Sequence, residues 1–316
     1  MSQNTFSSQP LLTFPDTERS PLSIRAKALV FIDPRSRQLR DQVEQLATQP
    51  LPLLIEGETG TGKELLARHI HRASERPGLF VALSCSGLSS QHAQAELFGY
   101  AAGAYQGSAS SRAGWFGSAN HGTLYLDEIG DLPLPLQAEL LNALETSEVL
   151  RVGANQPSPV EVRLLAATSI DLAQAVAAGK FNERLYRYLS DGSLNLPPLR
   201  ERTGDILPLA EYFLGIYAQR LSLPLPVISE AAQQRLEAHS WPGNTRELEN
   251  VIHFALLVSS GEEILSQHLN LAGSVAPLTA VENALEQLLD AADPEQLNNL
   301  RRLLHNAEQR LRQLGG

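Results

Sequence analysis

The chain has 316 residues, 43% of them apolar, and a formal net charge of −10. That length predicts two or three compact units, and the acidic balance excludes a surface that coats DNA or anionic lipid throughout, so any nucleic-acid contact has to be regional. The one cysteine, Cys85, has no partner for an internal disulfide, and the opening MSQNTFSSQPLLTFPD has neither a basic start nor an apolar stretch long enough for export or spanning, which predicts a reduced, cytoplasmic protein without membrane contact.

In chain order, residues 1–22 are rich in Ser, Thr, Gln and Pro without periodicity and are expected to form a loose arm that leaves no room for a sensory domain. Over 23–204, helical patterns alternate with the short apolar runs Leu53 to Ile55, Leu79 to Leu83, Gly122 to Leu126 and Val162 to Ala167. Such alternation predicts an α/β unit, a parallel sheet flanked by helices. Residues 205–270 show helical spacing of Leu, Ile and Ala near Leu207 to Leu221, Ser229 to Ser240 and Thr245 to Ser259, which predicts a small separate helical subdomain.

Residues 271–279, LAGSVAPLT, read as a linker, and 280–316 as a helical tail carrying Leu285, Leu288, Leu289, Leu297, Leu300, Leu303, Leu304 and Leu311. Arg301, Arg302, Arg310 and Arg312 bias the end of the tail toward positive charge. Two readings stay open there, a packing or self-association stripe and a phosphate contact, and the leucine spacing favours the first.

The chemistry is concentrated in two places. GETGTGKE, comprising Gly57, Glu58, Thr59, Gly60, Thr61, Gly62, Lys63 and Glu64, lies between an apolar run and the helical pattern LLARHI. Strand, glycine loop and helix in that order form a phosphate cradle: the glycines let main-chain N–H groups wrap an anion, the helix start adds its positive end, and Lys63 reaches the terminal phosphates. Glu64 stands where a Ser or Thr usually ligates Mg²⁺, so the metal has to lean on Thr61, water and an acidic residue elsewhere. The run Thr123 to Leu126 ends in Asp127 and Glu128, two carboxylates at the carboxyl edge of a strand, where open α/β folds place ligands. Asp127 is expected to hold Mg²⁺ and Glu128 to polarise the attacking water, which identifies an ATPase with ATP and Mg²⁺ as its cofactors.

Together with these two motifs, ELFGYAAGAYQGS at 96–108, LPPLRER at 196–202 and WPGNTRELENVI at 241–252 closely resemble the bacterial enhancer-binding proteins, AAA+ ATPases that activate RNA polymerase holoenzyme carrying sigma-54. The resemblance spans roughly residues 23 to 271. It implies an AAA+ P-loop NTPase with a helical lid, a homo-oligomeric ring, usually hexameric, with ATP between neighbours, and hydrolysis that drives a loop against the closed promoter complex. Carried onto this sequence, Arg246 becomes the second sensor for ATP, and Gly103, Ala104, Tyr105, Gln106, Gly107 and Ser108 form the sigma-factor loop. The turn at Trp241 to Gly243 is expected to be structural and capped by Asn244. Family members commonly bind enhancer DNA through a Fis-type C-terminal module, which the tail resembles poorly; enhancer DNA is a partner by family analogy alone. The stretch at 21–40 also resembles the start of regulators of sulfone and organosulfur use.

The departures matter as well. The loop reads GAYQGS where the family has GAFTGA, so Tyr105 keeps an aromatic tip while Gln106 replaces a threonine. Where the family's FREDLYYRL pattern places two arginines that reach the neighbour's ATP, this chain has Asn182 and Tyr188. Arginine fingers contribute roughly 10³ to 10⁵ in turnover. Arg184 and Arg187, three apart on a predicted helix, are the catalytic substitutes expected there, with ordinary ion pairing as the competing reading. Ser84 stands where an asparagine restrains the catalytic glutamate, and Ser169 where an asparagine senses the γ-phosphate. These differences leave two further readings beside the sigma-54 activator. One is a weakly hydrolysing, nucleotide-binding regulatory subunit that assembles with or inhibits a complete activator; the other is an AAA+ chaperone of an unrelated complex.

Overall fold

The computed structural model describes residues 12–13, 28–88, 92–105, 108–221, 223–259 and 262–271. Expectations for the arm, for Gln106 and Gly107, and for the tail fall outside the described residues. The chain divides into two compact units, 1–269 and 270–316, and of the second only Asn270 and Leu271 are described.

The centre of the first unit is a five-stranded parallel sheet: β1 (Leu53–Glu56), β2 (Phe80–Ser84), β3 (Thr123–Asp127), β4 (Arg163–Thr168) and β5 (Ser193–Asn195), in the spatial order β2-β3-β4-β1-β5. Alternate residues on each inner strand face opposite layers, as a pleated strand requires. Leu54, Leu124, Leu126, Leu164 and Ala166 enter one core. Leu53, Ile55, Tyr125, Leu165 and Ala167 enter the other. Because both faces are covered, these strands read as continuous apolar runs rather than alternating ones.

Helices α1 (Pro34–Ala47) and α2 (Lys63–Ala73) line one face. α1 starts at Asp33, whose carboxylate accepts from the Arg35 amide at 2.9 Å, a cap contributing about 1 kcal/mol. α2 buries Lys63, Leu66, Ala67 and Ile70, one helical stripe. The opposite face carries α3 (Ala93–Phe98), α4 (Gly114–Ser118), α5 (Leu134–Thr146), α6 (Leu172–Ala177) and α7 (Glu183–Ser190).

After β5 come α8 (Ile206–Leu221), α9 (Glu230–Ala238) and α10 (Asn244–Val258), close to the three predicted helical segments. One short parallel pairing, Val227–Ile228 with Glu263–Ile264, interrupts the helices where no strand is predicted. Trp241 is fully buried and its indole N–H donates to the Leu236 carbonyl at 2.9 Å. The turn that it begins is not capped by Asn244. Gly243 is the N-cap residue of α10, and Asn244 takes a left-handed φ of 52° that sends its amide elsewhere.

Candidate functional site

The register of the sheet brings the chemistry-bearing residues to one edge. Glu56 pairs with Thr168 and Ser84 with Asp127, so the segments beginning at Gly57, Ser169 and Glu128 leave the sheet side by side. The Gly57 N–H donates to the Thr168 carbonyl at 3.2 Å and closes the gap between β1 and β4.

Gly60 and Gly62 adopt φ of 83° and 105°, left-handed values that favour glycine. Open space lies around Gly62, which starts α2 with no side-chain cap. The first N–H groups of this 11-residue helix thus have no capping side chain, and an uncapped helix start is a site that anions take. Lys63 is 6% exposed and curls into the loop, donating to the Gly57 carbonyl at 2.8 Å and the Glu58 carbonyl at 3.4 Å.

Lys63 also reaches Glu128 Oε1 at 3.2 Å. The other oxygen, Oε2, accepts from the Ser169 N–H at 2.9 Å and its hydroxyl at 2.8 Å. Glu128 sits at φ 49°, strained for a residue with a side chain, at the end of β3. Ser84 bonds to the Ser86 hydroxyl at 2.9 Å instead. The hydrogen bonds that hold Glu128 thus come from Ser169 at the end of β4, and Ser84 at the end of β2 is engaged by Ser86.

Asp127 is partly buried, and its Oδ1 accepts from the Tyr125 hydroxyl at 2.8 Å. Its Oδ2 has no partner among the described residues. Glu64 is exposed and paired with Arg68 at 2.8 Å, and the buried Thr61 hydroxyl donates to the Glu58 carbonyl at 2.7 Å. Among the described residues no cluster of three acidic, His or Cys side chains could cage a cation. One free carboxylate oxygen beside an anion cradle fits Mg²⁺, which binds through one or two carboxylates and substrate phosphates rather than an all-protein cage. Cys85, buried behind this edge, has its thiol pushed up to about 12, by burial first and then by the charges of Asp127, Asp131 and Glu128. It remains an unreactive thiol.

Arg200, Arg202, Asn244 and the Arg246 backbone fasten the glycine loop to the chain that follows β5. Arg200 forks onto Glu58 at 2.5 and 2.9 Å, and Asn244 Nδ2 donates to the same carboxylate at 3.0 Å and to the Thr59 carbonyl at 3.2 Å. Those bonds, Arg200 first, hold the Glu58 carboxyl down at about 2. Arg202, nearly fully buried, donates to the Thr61 carbonyl at 2.9 Å and pairs with the buried Asp205 at 3.6 Å. The Arg246 N–H donates to the Gly60 carbonyl at 3.2 Å, while its side chain is exposed beside the loop. A β-carbon on Gly60 would strike the Gly243 carbonyl, so this contact demands glycine.

Arg184 and Arg187 lie on the exposed side of α7, about three-quarters exposed at 74% and 76%. Arg184 pairs with Glu145 at 3.1 Å and Arg187 with Glu183 at 2.5 Å. Asn182 caps α7, accepting from the Leu185 N–H at 3.0 Å, and Tyr188 packs against the core. In the loop at 103–108, the Gly103 N–H donates to the Ser108 carbonyl at 2.8 Å, and the Tyr105 ring leans on Tyr100 with centroids 4.9 Å apart. The Ala101 N–H donates to the Val152 carbonyl at 2.9 Å, which ties the base of this loop to the segment around Gly153.

Against known proteins, residues 29–195 match the sigma-54 interaction domain family and residues 200–280 the AAA+ ATPase lid domain. The sigma54-dependent transcriptional activator SfnR of Pseudomonas putida is 48% identical over 286 residues, 89% of this chain and 78% of that protein. The anaerobic nitric oxide reductase transcription regulator NorR of Citrobacter koseri is 40% identical over 302 residues, 92% of this chain and 60% of that one. Among solved structures, NtrX from Brucella abortus in complex with ATP superposes with a TM-score of 0.72 at 31% identity, over 86% of this chain and 63% of NtrX.

Proposed function

This chain belongs to the sigma-54 interaction family of AAA+ ATPases, and on that premise we propose that it hydrolyses ATP to activate transcription by RNA polymerase carrying sigma-54. The observation that carries this reading is the grouping of Lys63, Glu128 and Ser169 around an uncapped helix start, on the joined edges of β1, β3 and β4.

The triphosphate of ATP would lie against the glycine loop and the start of α2, where Lys63 would exchange Glu128 for the phosphates. Freed from Lys63, Glu128 keeps its link to Ser169 and orients the attacking water through Oε1. Mg²⁺, held by Asp127, would supply charge neutralisation between the phosphates. Arg246 acts as the second sensor, a role supported by its backbone N–H, which is anchored to the Gly60 carbonyl of the glycine loop. Phosphoryl transfer needs little more than such positioning and charge.

The assembly in this reading is a homo-oligomeric ring, hexameric as in the family, with ATP between subunits. Arg184 and Arg187 serve as the substitute arginine fingers. Each is held only by an exposed carboxylate, an interaction of about 0 to 1 kcal/mol that a neighbour's phosphate readily replaces. The loop at 103–108, tipped by Tyr105, contacts sigma-54. Residues 23–204 form the ATPase subdomain and 205–270 the lid. Among the described residues no helix is long and apolar enough to cross a membrane, consistent with action in the cytoplasm.

A specific observation favours a second reading, the weakly hydrolysing regulatory subunit: the two finger positions are committed to cap and core, through Asn182 and Tyr188. Measuring ATP turnover with and without sigma-54 holoenzyme on promoter DNA separates the two. An activator accelerates open-complex formation as it turns over, whereas a regulatory subunit binds ATP, turns it over slowly and leaves the complex closed.

A further inference from the structure

One face of β3 carries Thr123, Tyr125 and Asp127 in succession. Tyr125 is 1% exposed, and its ring stacks on Phe80 with centroids 5.9 Å apart and planes at 23°. The guanidinium of Arg68 lies over the Phe80 ring at 4.6 Å from its centroid. The ring is therefore fixed, and so is the direction in which its hydroxyl points. That hydroxyl donates to Asp127 Oδ1 at 2.8 Å, and Oδ2 is left without a partner among the described residues.

We propose that Tyr125 is a positioning residue for the metal: its hydroxyl pins Asp127 Oδ1, so that Oδ2 is presented to the Mg²⁺ that accompanies ATP. This rests on the ATP site argued above. With no acidic cluster among the described residues and Glu64 turned to Arg68, Asp127 is the anchor that the protein offers, and the orientation of a single anchor governs affinity. A carboxylate free to rotate presents each oxygen in turn; one held by a rigid phenol presents a fixed one. Groups that orient a metal ligand in this way typically change metal affinity 10- to 100-fold. The competing account is that the bond merely satisfies a buried hydroxyl. That account predicts a change in stability with no change in metal response.

The test uses the full chain and a fluorescent, non-hydrolysable ATP analogue, titrated with Mg²⁺. Tyr125→Phe keeps the ring and removes the hydroxyl, so nucleotide affinity without metal is expected to stay unchanged while half-saturation by Mg²⁺ rises roughly tenfold. In an Asp127→Asn background the same substitution is expected to add nothing. Unchanged half-saturation in Tyr125→Phe, or an equal shift in the Asp127→Asn background, overturns the proposal and leaves the ATP site intact. A wild-type protein that binds the analogue with no response to Mg²⁺, or not at all, overturns both.

Discussion

Lys63 Nζ lies 3.2 Å from Glu128 Oε1, so the cation of the glycine loop and the carboxylate at the end of β3 form one ion pair. The pair is largely shielded from solvent on the lysine side, and each partner keeps the other in place for chemistry. In the proposed mechanism, ATP binding and activation of Glu128 are a single event, because the phosphates take the lysine.

Lys63→Ala removes a charge-assisted bond of about 1.5 to 3 kcal/mol, so ATP affinity should fall roughly 10- to 100-fold in a fluorescent-nucleotide titration. Retained affinity would show that Lys63 does not meet the phosphates.

Ser169→Ala leaves the backbone N–H on Glu128 Oε2 but deletes the hydroxyl at 2.8 Å. A hydrogen bond to a charged group is worth about 1.5 kcal/mol or more, so the loosened glutamate should orient the attacking water less well and lower turnover roughly several-fold. The KM for ATP should not move. Steady-state ATPase assays read both, and a change confined to KM would contradict this role.

Arg184→Ala and Arg187→Ala each break one exposed ion pair and should leave the thermal midpoint almost unchanged. In assembled protein at least one of them should lower ATP turnover by roughly tenfold or more if it acts as a finger. Unchanged ATPase in both variants would reduce them to ordinary surface pairs. Asn182→Arg tests the other half of the substitution: restoring an arginine deletes the cap on Leu185 and should cost about 1 kcal/mol in a urea titration.

The strands β1 to β4 and the two site motifs could be read in the sequence because buried parallel strands are apolar runs and their carboxyl ends carry the polar residues. β5 escaped, since Ser193–Asn195 is short and only Leu194 turns inward. Tyr125 carried no role in the sequence because a hydroxyl within an apolar run gives no sign of where it points. The Glu58 bond to Arg200 joins residues 142 apart, beyond any local pattern. Asn244 suggested a cap by residue type, yet with the backbone turned left-handed its amide serves the glycine loop and the Leu199 N–H instead.

Glu58 gives the pH dependence. Its carboxyl is depressed from 4.5 to about 2 in the folded chain, so the stability that it contributes is full above about pH 4.5 and is lost as pH falls toward 2. Urea midpoints measured across that window should decline more shallowly in Glu58→Gln than in the wild type. Parallel declines would mean that the Arg200 contact does not hold Glu58 in the folded chain.

Gly153 has φ 74°, and a β-carbon there would lie 2.8 Å from the Ala104 β-carbon. Gly153→Ala should therefore displace the loop at 103–108 while leaving nucleotide binding unaltered. Pull-down of sigma-54 with a transition-state analogue bound should drop, and full retention would remove this loop from the interface.

The central claim is that ATP held by Lys63 and cleaved with the help of Glu128 drives promoter opening. Open-complex formation at a sigma-54 promoter, followed with purified polymerase and ATP, tests it most directly. The wild-type chain should open the promoter while Lys63→Ala and Glu128→Ala leave it closed; equal opening by all three proteins would contradict the account.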